Sequence, residues 1–270
     1  MLSCKEYAAS KKEQLKRVIK NLTQKPVLSI IQIGDNPASN SYVKGKIRDC
    51  EEVGIIARHI RRDETITQEE LNVLIQAETA DENCTGCIVQ LPLPIGLDEN
   101  ALLDYIPKAK DVDGFRPSSP FIPCTPLGIL LYLKACGIHM EGKHCVVIGR
   151  SNIVGKPMAQ LFLRENATVT VCHSKTKNLQ EITKLADIIV VAVGKRNILT
   201  GDMVKDGAVV VDVGINRDEE GKLCGDCDYD SLVDKCSLIT PVPGGVGLLT
   251  RVTLLDNVLL AYSLNNDMCQ

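Results

Sequence analysis

Residues 145–155 decide the fold of the second half of the chain, and they read Cys-Val-Val-Ile-Gly-Arg-Ser-Asn-Ile-Val-Gly. The first four form an apolar run of strand length, and Gly149 allows a tight turn into a helix predicted over 155–165. This order is typical of a dinucleotide phosphate cradle, because the helix start supplies N–H donors and a positive dipole end. The spacing G-x-S-x-x-x-G is not the generic G-x-G-x-x-G, so an ordinary strand-to-helix turn remains an alternative.

Alternation of strands and helices continues on both sides of this turn. Downstream, strands are predicted at 168–172, 188–193 and 208–213, which indicates a Rossmann-like, doubly wound sheet. Upstream, a helix over 5–22 precedes strands at 27–33, 55–60 and 87–91, with helices at 39–53 and 67–80 between them. The last 20 residues predict an apolar helix that packs back onto the first domain.

The predicted fold class is therefore α/β with two domains. Residues 1–120 and 250–270 form an N-terminal α/β substrate domain closed by the C-terminal helix, and residues 121–249 form the nucleotide-binding domain. The boundary is placed in 111–126, where Pro117, Pro120, Pro123 and Pro126 interrupt regular structure.

Composition excludes several classes of protein. A net charge of −3 gives no overall attraction to nucleic acid or anionic membranes. Neither a signal peptide nor an apolar run of membrane-spanning length is recognised, so we expect a cytoplasmic protein without a membrane partner. Two Cys-x-x-Cys pairs, Cys84/Cys87 and Cys224/Cys227, could form a zinc site, but buried apolar thiols are the favoured interpretation and no metal is predicted.

The turn after the second strand of the nucleotide-binding domain indicates NADP. An NAD site usually has an acidic residue there for the ribose hydroxyls, and residues 172–175 contain none. Ser174 and Lys175 are donors, and Arg150 lies in the preceding turn. Hydrogen-bond donors and positive charge favour the 2′-phosphate that distinguishes NADP from NAD. Lys175 alone could be a solvated loop lysine.

Candidate catalytic residues lie in the first domain. Tyr42 and Lys46 are four residues apart on a predicted helix and share a face, although an isolated pair of this kind is more often a solvated surface pair. Short-chain dehydrogenases also use Y-x-x-x-K, but there the pair follows the nucleotide-binding glycines. Gln90 lies at the carboxyl end of a strand, where α/β sheets bind ligands, and a structural glutamine is the alternative. Asp113 could serve a site or simply belong to an Asx-type turn.

Taken together, these segments resemble the bifunctional methylenetetrahydrofolate dehydrogenase/cyclohydrolase (FolD) family. The matches run in order over nearly the whole chain: Asn36-Pro37-Ala38-Ser39, Tyr42-x-x-x-Lys46, Glu51-Glu52-Val53-Gly54, Val89-Gln90-Leu91-Pro92-Leu93-Pro94, Lys110-Asp111-Val112-Asp113-Gly114-Phe115, Pro123-Cys124-Thr125-Pro126, Gly149 to Pro157, Asp212-Val213-Gly214-Ile215-Asn216 and Pro241-Val242-Pro243-Gly244-Gly245-Val246-Gly247.

The resemblance implies two reactions and a homodimer. Hydride passes from 5,10-methylenetetrahydrofolate to NADP, and the methenyl product is then hydrolysed to 10-formyltetrahydrofolate. Lys46 is implied as the central catalytic group, assisted by Tyr42, Gln90 and Asp113. The implied folate-binding residues are Tyr42, Val89, Gln90, Leu91, Asp113, Pro243, Gly244 and Gly245. The implied cofactor-binding residues are Gly149, Arg150, Ser151, Ser174 and Ile215.

Three segments depart from the family pattern. Leu248-Leu249-Thr250 stands where the family usually has Pro-Met-Thr, the stretch between Phe115 and Pro123 is short, and Ser3-Cys4-Lys5 replaces Asp-Gly-Lys. These changes leave open a member with dehydrogenase activity only, or a non-catalytic NADP- or folate-binding module. A shikimate-type dehydrogenase on a related fold would lack the Gln90-Leu-Pro-Leu-Pro segment.

Overall fold

Two parallel sheets organise the computed structural model, which describes residues 2–267. Each sheet belongs to its own unit. The three-stranded unit comprises Ala9–Cys124 and the chain from Arg251 onward, and the five-stranded unit comprises Thr125–Thr250 and the chain up to Ala8. Residues 2–8 are predicted to belong to the substrate domain, but their contacts group them with the five-stranded unit. For example, the Tyr132 hydroxyl donates to the Leu2 carbonyl at 2.8 Å.

The three-stranded unit has its most buried strand at the centre. The strand β1 (Val27–Ile33) pairs in parallel with β2 (Ile56–Arg62) on one side and β3 (Gly86–Val89) on the other. Every residue of β1 is buried, as expected for a parallel strand covered on both faces. The helices with residues in this unit are α1 (Cys4–Lys20), α2 (Pro37–Val53), α3 (Gln68–Ala80), α4 (Glu99–Leu102) and α9 (Val246–Asp267), and a 3₁₀ turn covers Lys108–Lys110.

Local sequence signals set the ends of α2 and α3. The Asn36 side chain accepts hydrogen bonds from the first backbone N–H groups of α2, and Gly54 ends the helix with a left-handed φ of 92°. Thr67 and Glu70 form the predicted capping box at the start of α3, with both reciprocal hydrogen bonds present. These caps fix where the helix that carries Tyr42 and Lys46 begins and ends.

The five-stranded unit has the strand order β10-β7-β6-β4-β5, and all its strand pairs are parallel. The chain runs from β4 (His144–Ile148) to β5 (Thr168–Cys172) on one side, and then to β6 (Ile188–Val191) on the other. The order therefore reverses at β4, and ligands bind at such a switch point, beyond the carboxyl ends of the strands. The remaining elements are α5 (Cys124–Ala135), α6 (Gly155–Arg164), α7 (Leu179–Lys184), a 3₁₀ turn (Gly201–Met203), β7 (Val209–Asp212), β8 (Asn216–Arg217), β9 (Leu223–Cys224), α8 (Tyr229–Leu232) and β10 (Leu238–Ile239).

The predicted α/β fold class is confirmed, including the closing C-terminal helix. By length and composition α9 could cross a membrane, but half of its apolar window is buried inside the protein, as in the core helix of a soluble domain. Within the three-stranded unit, buried Asn257 of α9 donates to the Val112 carbonyl at 2.8 Å. The antiparallel β8–β9 hairpin and β10 were not predicted, because two-residue strands are too short to show a period.

Candidate active site

Lys46 and Tyr42 form a buried contact on α2. Lys46 is only 6% exposed, and its Nζ lies 5.6 Å from the centroid of the Tyr42 ring, which is within cation–π range. The alternative of a solvated surface pair is therefore wrong for Lys46. A lysine held in a protein interior beside an aromatic ring is a common arrangement for proton transfer or for binding a planar substrate.

Asp113 lies close enough to Lys46 for the two charges to interact. Burial raises the pKa of the Asp113 carboxyl, and the nearby Lys46 charge and Cys124 thiol oppose that rise. Asp111 has a different role, because its carboxylate accepts from the backbone N–H groups of Phe115 at 3.3 Å and Arg116 at 2.9 Å. Asp111 thus closes the turn, whereas the Asp113 carboxyl interacts with the Cys124 thiol and the Lys46 charge.

The C-terminal helix holds the segment that carries Asp113. Asn257 Nδ2 donates to the carbonyl of Val112 at 2.8 Å and to that of Ile122 at 3.3 Å. Both carbonyls flank the Asp113 turn, and Asn257 is buried, so these bonds are shielded from water. Sequence reasoning missed Asn257 because the Val112 and Ile122 carbonyls that it binds lie far away in the sequence.

Gln90 directly follows β3 and carries an unused acceptor. Its backbone N–H donates to the Ile31 carbonyl at 2.8 Å, and its Nε2 donates to the Leu91 carbonyl at 2.6 Å. Its Oε1 is buried without a hydrogen-bond partner among the described residues. A buried acceptor of this kind needs a donor, which a water molecule or a ligand can supply. Val89 and Leu91, on either side of Gln90, line one small cleft with Asp113.

The turn after β4 requires its two glycines. Gly149 has a φ of 129°, and a side chain there would collide with the Ala192 carbonyl oxygen. A side chain at Gly155 would collide with the Gly149 carbonyl oxygen, so glycine lets α6 start directly against the turn. Ser151 Oγ accepts from the N–H groups of Val154 at 3.2 Å and Gly155 at 3.3 Å. The unusual G-x-S-x-x-x-G spacing therefore builds a tight strand-to-helix turn.

The predicted cofactor residues lie in this turn and in neighbouring segments of the five-stranded unit. The Gly149 N–H donates to the Cys172 carbonyl at 2.9 Å, which joins the turn after β4 to the turn after β5. Arg150 and Ser174, one from each turn, are exposed. Ile215 follows β7, on the far side of β6, and is 59% exposed. The five predicted cofactor residues thus lie in the segments that follow β4, β5 and β7.

The predicted folate-binding residues Pro243, Gly244 and Gly245 belong to the five-stranded unit, just before α9. Gly244 has a left-handed φ of 95°, and a side chain at Gly245 would collide with the Pro241 carbonyl oxygen. The other folate-binding candidates, from Tyr42 to Asp113, belong to the three-stranded unit. That both sets of residues bind the same folate molecule stays a prediction.

Comparisons with known proteins decide the family. Residues 2–113 match the catalytic domain, and residues 123–266 the NAD(P)-binding domain, of tetrahydrofolate dehydrogenase/cyclohydrolase. This chain belongs to the tetrahydrofolate dehydrogenase/cyclohydrolase family.

Relatives and solved structures of this family match over almost their full length. The bifunctional protein FolD of Bacillus mycoides (strain KBAB4) is 50% identical, with 98% of this chain and 97% of that protein covered. The crystal structure of the bifunctional enzyme FolD from Campylobacter jejuni has a TM-score of 0.94 at 47% identity, and 98% of each chain is covered. The Trypanosoma brucei FolD structure, complexed with NADP cofactor and inhibitor, has a TM-score of 0.92 at 31% identity and covers 98% of this chain and 97% of that one.

The two Cys-x-x-Cys pairs of this family member belong to different units. Cys84 and Cys87 lie in the three-stranded unit, and Cys224 and Cys227 in the other. Burial raises the pKa of the Cys84, Cys87 and Cys227 thiols, which disfavours the thiolate that a metal would need. Across residues 2–267, no group of three or more potential ligands could hold a metal ion.

Proposed function

We propose that this member of the tetrahydrofolate dehydrogenase/cyclohydrolase family is bifunctional. In the first reaction, 5,10-methylenetetrahydrofolate passes a hydride to NADP and becomes the 5,10-methenyl cation. In the second, water adds to the methenyl carbon and the ring opens to 10-formyltetrahydrofolate with release of one proton. The observation that carries this proposal is the buried Lys46 beside the Tyr42 ring, with the Asp113 carboxyl close by.

Lys46 is the group that moves protons in the hydrolytic step. The attacking water loses one proton as it adds, and the hydroxyl of the adduct loses a second as the carbonyl forms. The departing ring nitrogen gains one of these protons, and the other is released to solvent. A single amine next to the reacting carbon can take a proton from the water and return one to the ring nitrogen. The unused Gln90 Oε1 supports a role for Gln90 in orienting the Lys46 amine, because an amine needs an acceptor to fix its direction.

The remaining folate-binding residues act by shape and hydrogen bonding. The Tyr42 ring is half-buried and suited to stacking on the aminobenzoyl ring of the substrate. The Asp113 carboxylate is suited to accept hydrogen bonds from the pterin N–H groups. Val89 and Leu91 flank Gln90 and supply apolar contact. Gly244 and Gly245, preceded by Pro243, would let the folate approach the backbone.

The five-stranded unit is suited to hold NADP. The glycines at 149 and 155 keep side chains out of the strand-to-helix turn, where N–H groups and the α6 dipole favour a phosphate. Arg150, Ser151 and Ser174 supply donors without a competing carboxylate, which favours the 2′-phosphate of NADP. When bound, the nicotinamide ring supplies the hydride acceptor, and the exposed Ile215 side chain offers it an apolar surface.

We further propose that the protein is a cytoplasmic homodimer that supplies one-carbon units, for example to purine biosynthesis. Family resemblance supports the dimer and the pathway. The slightly negative net charge supports the absence of nucleic-acid partners. The burial of α9 supports the absence of a membrane partner.

The test compares Lys46→Met with Lys44→Met. Lys44 lies on the same helix but is exposed, so it controls for the loss of a lysine charge near the site. We expect Lys46→Met to hydrolyse methenyltetrahydrofolate only at the uncatalysed rate, and Lys44→Met to keep the wild-type rate. Enzymatic hydrolysis by Lys46→Met at the wild-type rate would refute the assignment of Lys46.

A further inference from the structure

Two buried carboxylates in the five-stranded unit have no part in the reactions described above. Asp212 ends β7, and Asp226 follows the β8–β9 hairpin. Asp226 is 0% exposed and Asp212 is 3% exposed. A buried carboxylate is costly unless several donors satisfy it, so its partners show what it holds in place.

Asp226 binds the backbone that follows β6. Its Oδ2 accepts from the N–H groups of Val193 at 2.7 Å and Gly194 at 2.9 Å. Its Oδ1 accepts from Asn216 Nδ2 at 2.8 Å. Hydrogen bonds to a charged acceptor are short and strong, so one carboxylate fixes the segment after β6 and, through Asn216, the segment after β7.

Asp212 in turn accepts hydrogen bonds from the backbone around Asp226. Its Oδ1 accepts from the N–H groups of Gly214 and Asp226, both at 2.9 Å, and its Oδ2 accepts from Cys227 N–H at 2.9 Å. A side chain at Gly214 would collide with the Asp226 carboxylate, and one at Gly225 with the Asp212 carboxylate. The two carboxylates therefore form a cross-brace that needs glycine at both crossing points.

This cross-brace lies at the edge of the sheet where the cofactor residues lie. The segment after β6 borders the switch point, and the Ala192 carbonyl packs directly against Gly149 of the phosphate turn. Val193 donates its N–H to Asp226, and its side chain is 39% exposed. Ile215 lies between Gly214 and Asn216, which donate to Asp212 and Asp226, and it is 59% exposed. Two apolar side chains on fixed backbone thus face solvent at the carboxyl ends of β6 and β7.

We propose that Asp226 is a positioning residue for the dinucleotide. It fixes the backbone that carries Val193 and Ile215, and these two side chains form an apolar surface that contacts the cofactor. The carboxylate joins the segment after β6 to the segment after β7. This proposal rests on the proposed NADP-dependent function, since it names further residues of the same cofactor site.

The experiment measures NADP binding by calorimetry, which needs no turnover, alongside the KM for NADP and the rate of methenyltetrahydrofolate hydrolysis. Asp226→Ala removes the acceptor that fixes the Val193 and Gly194 N–H groups, and we expect its Kd and KM for NADP to rise about tenfold or more. We expect its hydrolytic rate to change far less than its Kd for NADP, because the catalytic candidates for that step, from Tyr42 to Asp113, belong to the three-stranded unit. Asp226→Asn keeps one carbonyl oxygen for the Val193 and Gly194 N–H groups and should restore most of the affinity.

Asp187→Ala is the matched control. Asp187 also accepts from a backbone N–H, that of His144 at 2.8 Å, but at the amino ends of β4 and β6, away from the cofactor residues. It should lower the melting temperature without raising the Kd for NADP.

The proposal is overturned if folded Asp226→Ala binds NADP as tightly as wild type, or if Asp187→Ala weakens binding equally. If Asp226→Ala does not fold, Asn216→Ala is the second test. It removes the bond to Asp226 Oδ1 and the bond to the Gly225 carbonyl at 3.0 Å, and leaves the Oδ2 bonds in place. It should raise the Kd for NADP severalfold, and an unchanged Kd again overturns the proposal. Wild-type NADP binding without turnover would instead count against the proposed function alone.

Discussion

Arg251→Met should destabilise the three-stranded unit by breaking a buried ion pair. Arg251 Nε lies 2.8 Å from Oδ2 of Asp49, which is buried on α2, and Lys12 Nζ lies 3.4 Å from Oδ1. The arginine passes directly over Gly45, where a side chain would collide with its guanidinium. These contacts join α9 to the helix that carries Lys46.

The expected magnitude follows from what remains around Asp49. Removing one partner of a buried pair costs about 3–5 kcal/mol, because the other charge stays buried. Lys12 still neutralises part of the Asp49 charge, so the lower end, about 3 kcal/mol, is expected. At about 2–4 °C per kcal/mol for a unit of this size, the melting temperature should fall by about 6–12 °C.

A double variant separates the ion pair from simple packing. Asp49→Leu combined with Arg251→Met replaces both charges by apolar side chains, which is often neutral or stabilising in protein interiors. Lys12 keeps Glu52 as a partner at 2.5 Å in that variant. Calorimetric melting of wild type, both single variants and the double variant should show the double variant recovering most of the loss. A double variant that loses the sum of the single effects would refute the reasoning.

Three further predictions concern the elements around the site. Thr67→Ala removes the cap of α3 and should lower the free energy of unfolding by about 1 kcal/mol in a urea titration, whereas Thr67→Ser should not. Asn257→Leu leaves the buried Val112 carbonyl without its amide donor and should cost about 1–3 kcal/mol. It should also raise the KM for methylenetetrahydrofolate, and an unchanged KM would contradict the anchoring role. Burial raises the pKa of Asp113, so this group favours the folded state below its unfolded pKa and loses that contribution as pH rises through the folded pKa. Asp113→Asn should therefore gain stability relative to wild type between acid and neutral pH while losing activity, which melting curves across pH can check.

Elements with strong local signals could be predicted from the sequence. The β1 strand matches its predicted range, 27–33, and α3 begins where the Thr67 capping box indicated. Both signals depend on neighbours in the sequence: a continuous apolar run and a cap three residues from its partner. The β8–β9 hairpin has neither and forms next to Asp226, whose side chain accepts from Asn216 of β8.

The residues of the site could be proposed from the sequence, but not their environment. The four-residue spacing of Tyr42 and Lys46 predicts a shared helix face, and burial of that face depends on distant segments. Asn257 and Arg251 lie far along the chain from their partners, the Val112 carbonyl and Asp49, so the sequence does not show these contacts. The role of Asp226 likewise depends on the N–H groups of Val193 and Gly194, brought near it by the sheet order.

The most direct test of two-step catalysis starts the wild-type protein on methylenetetrahydrofolate and NADP and follows both NADPH and 10-formyltetrahydrofolate. We expect equimolar NADPH and 10-formyltetrahydrofolate, with the methenyl intermediate removed faster than its uncatalysed hydrolysis. Absence of NADPH formation, or NADPH formation with methenyltetrahydrofolate disappearing only at the uncatalysed rate, would contradict the two-step function.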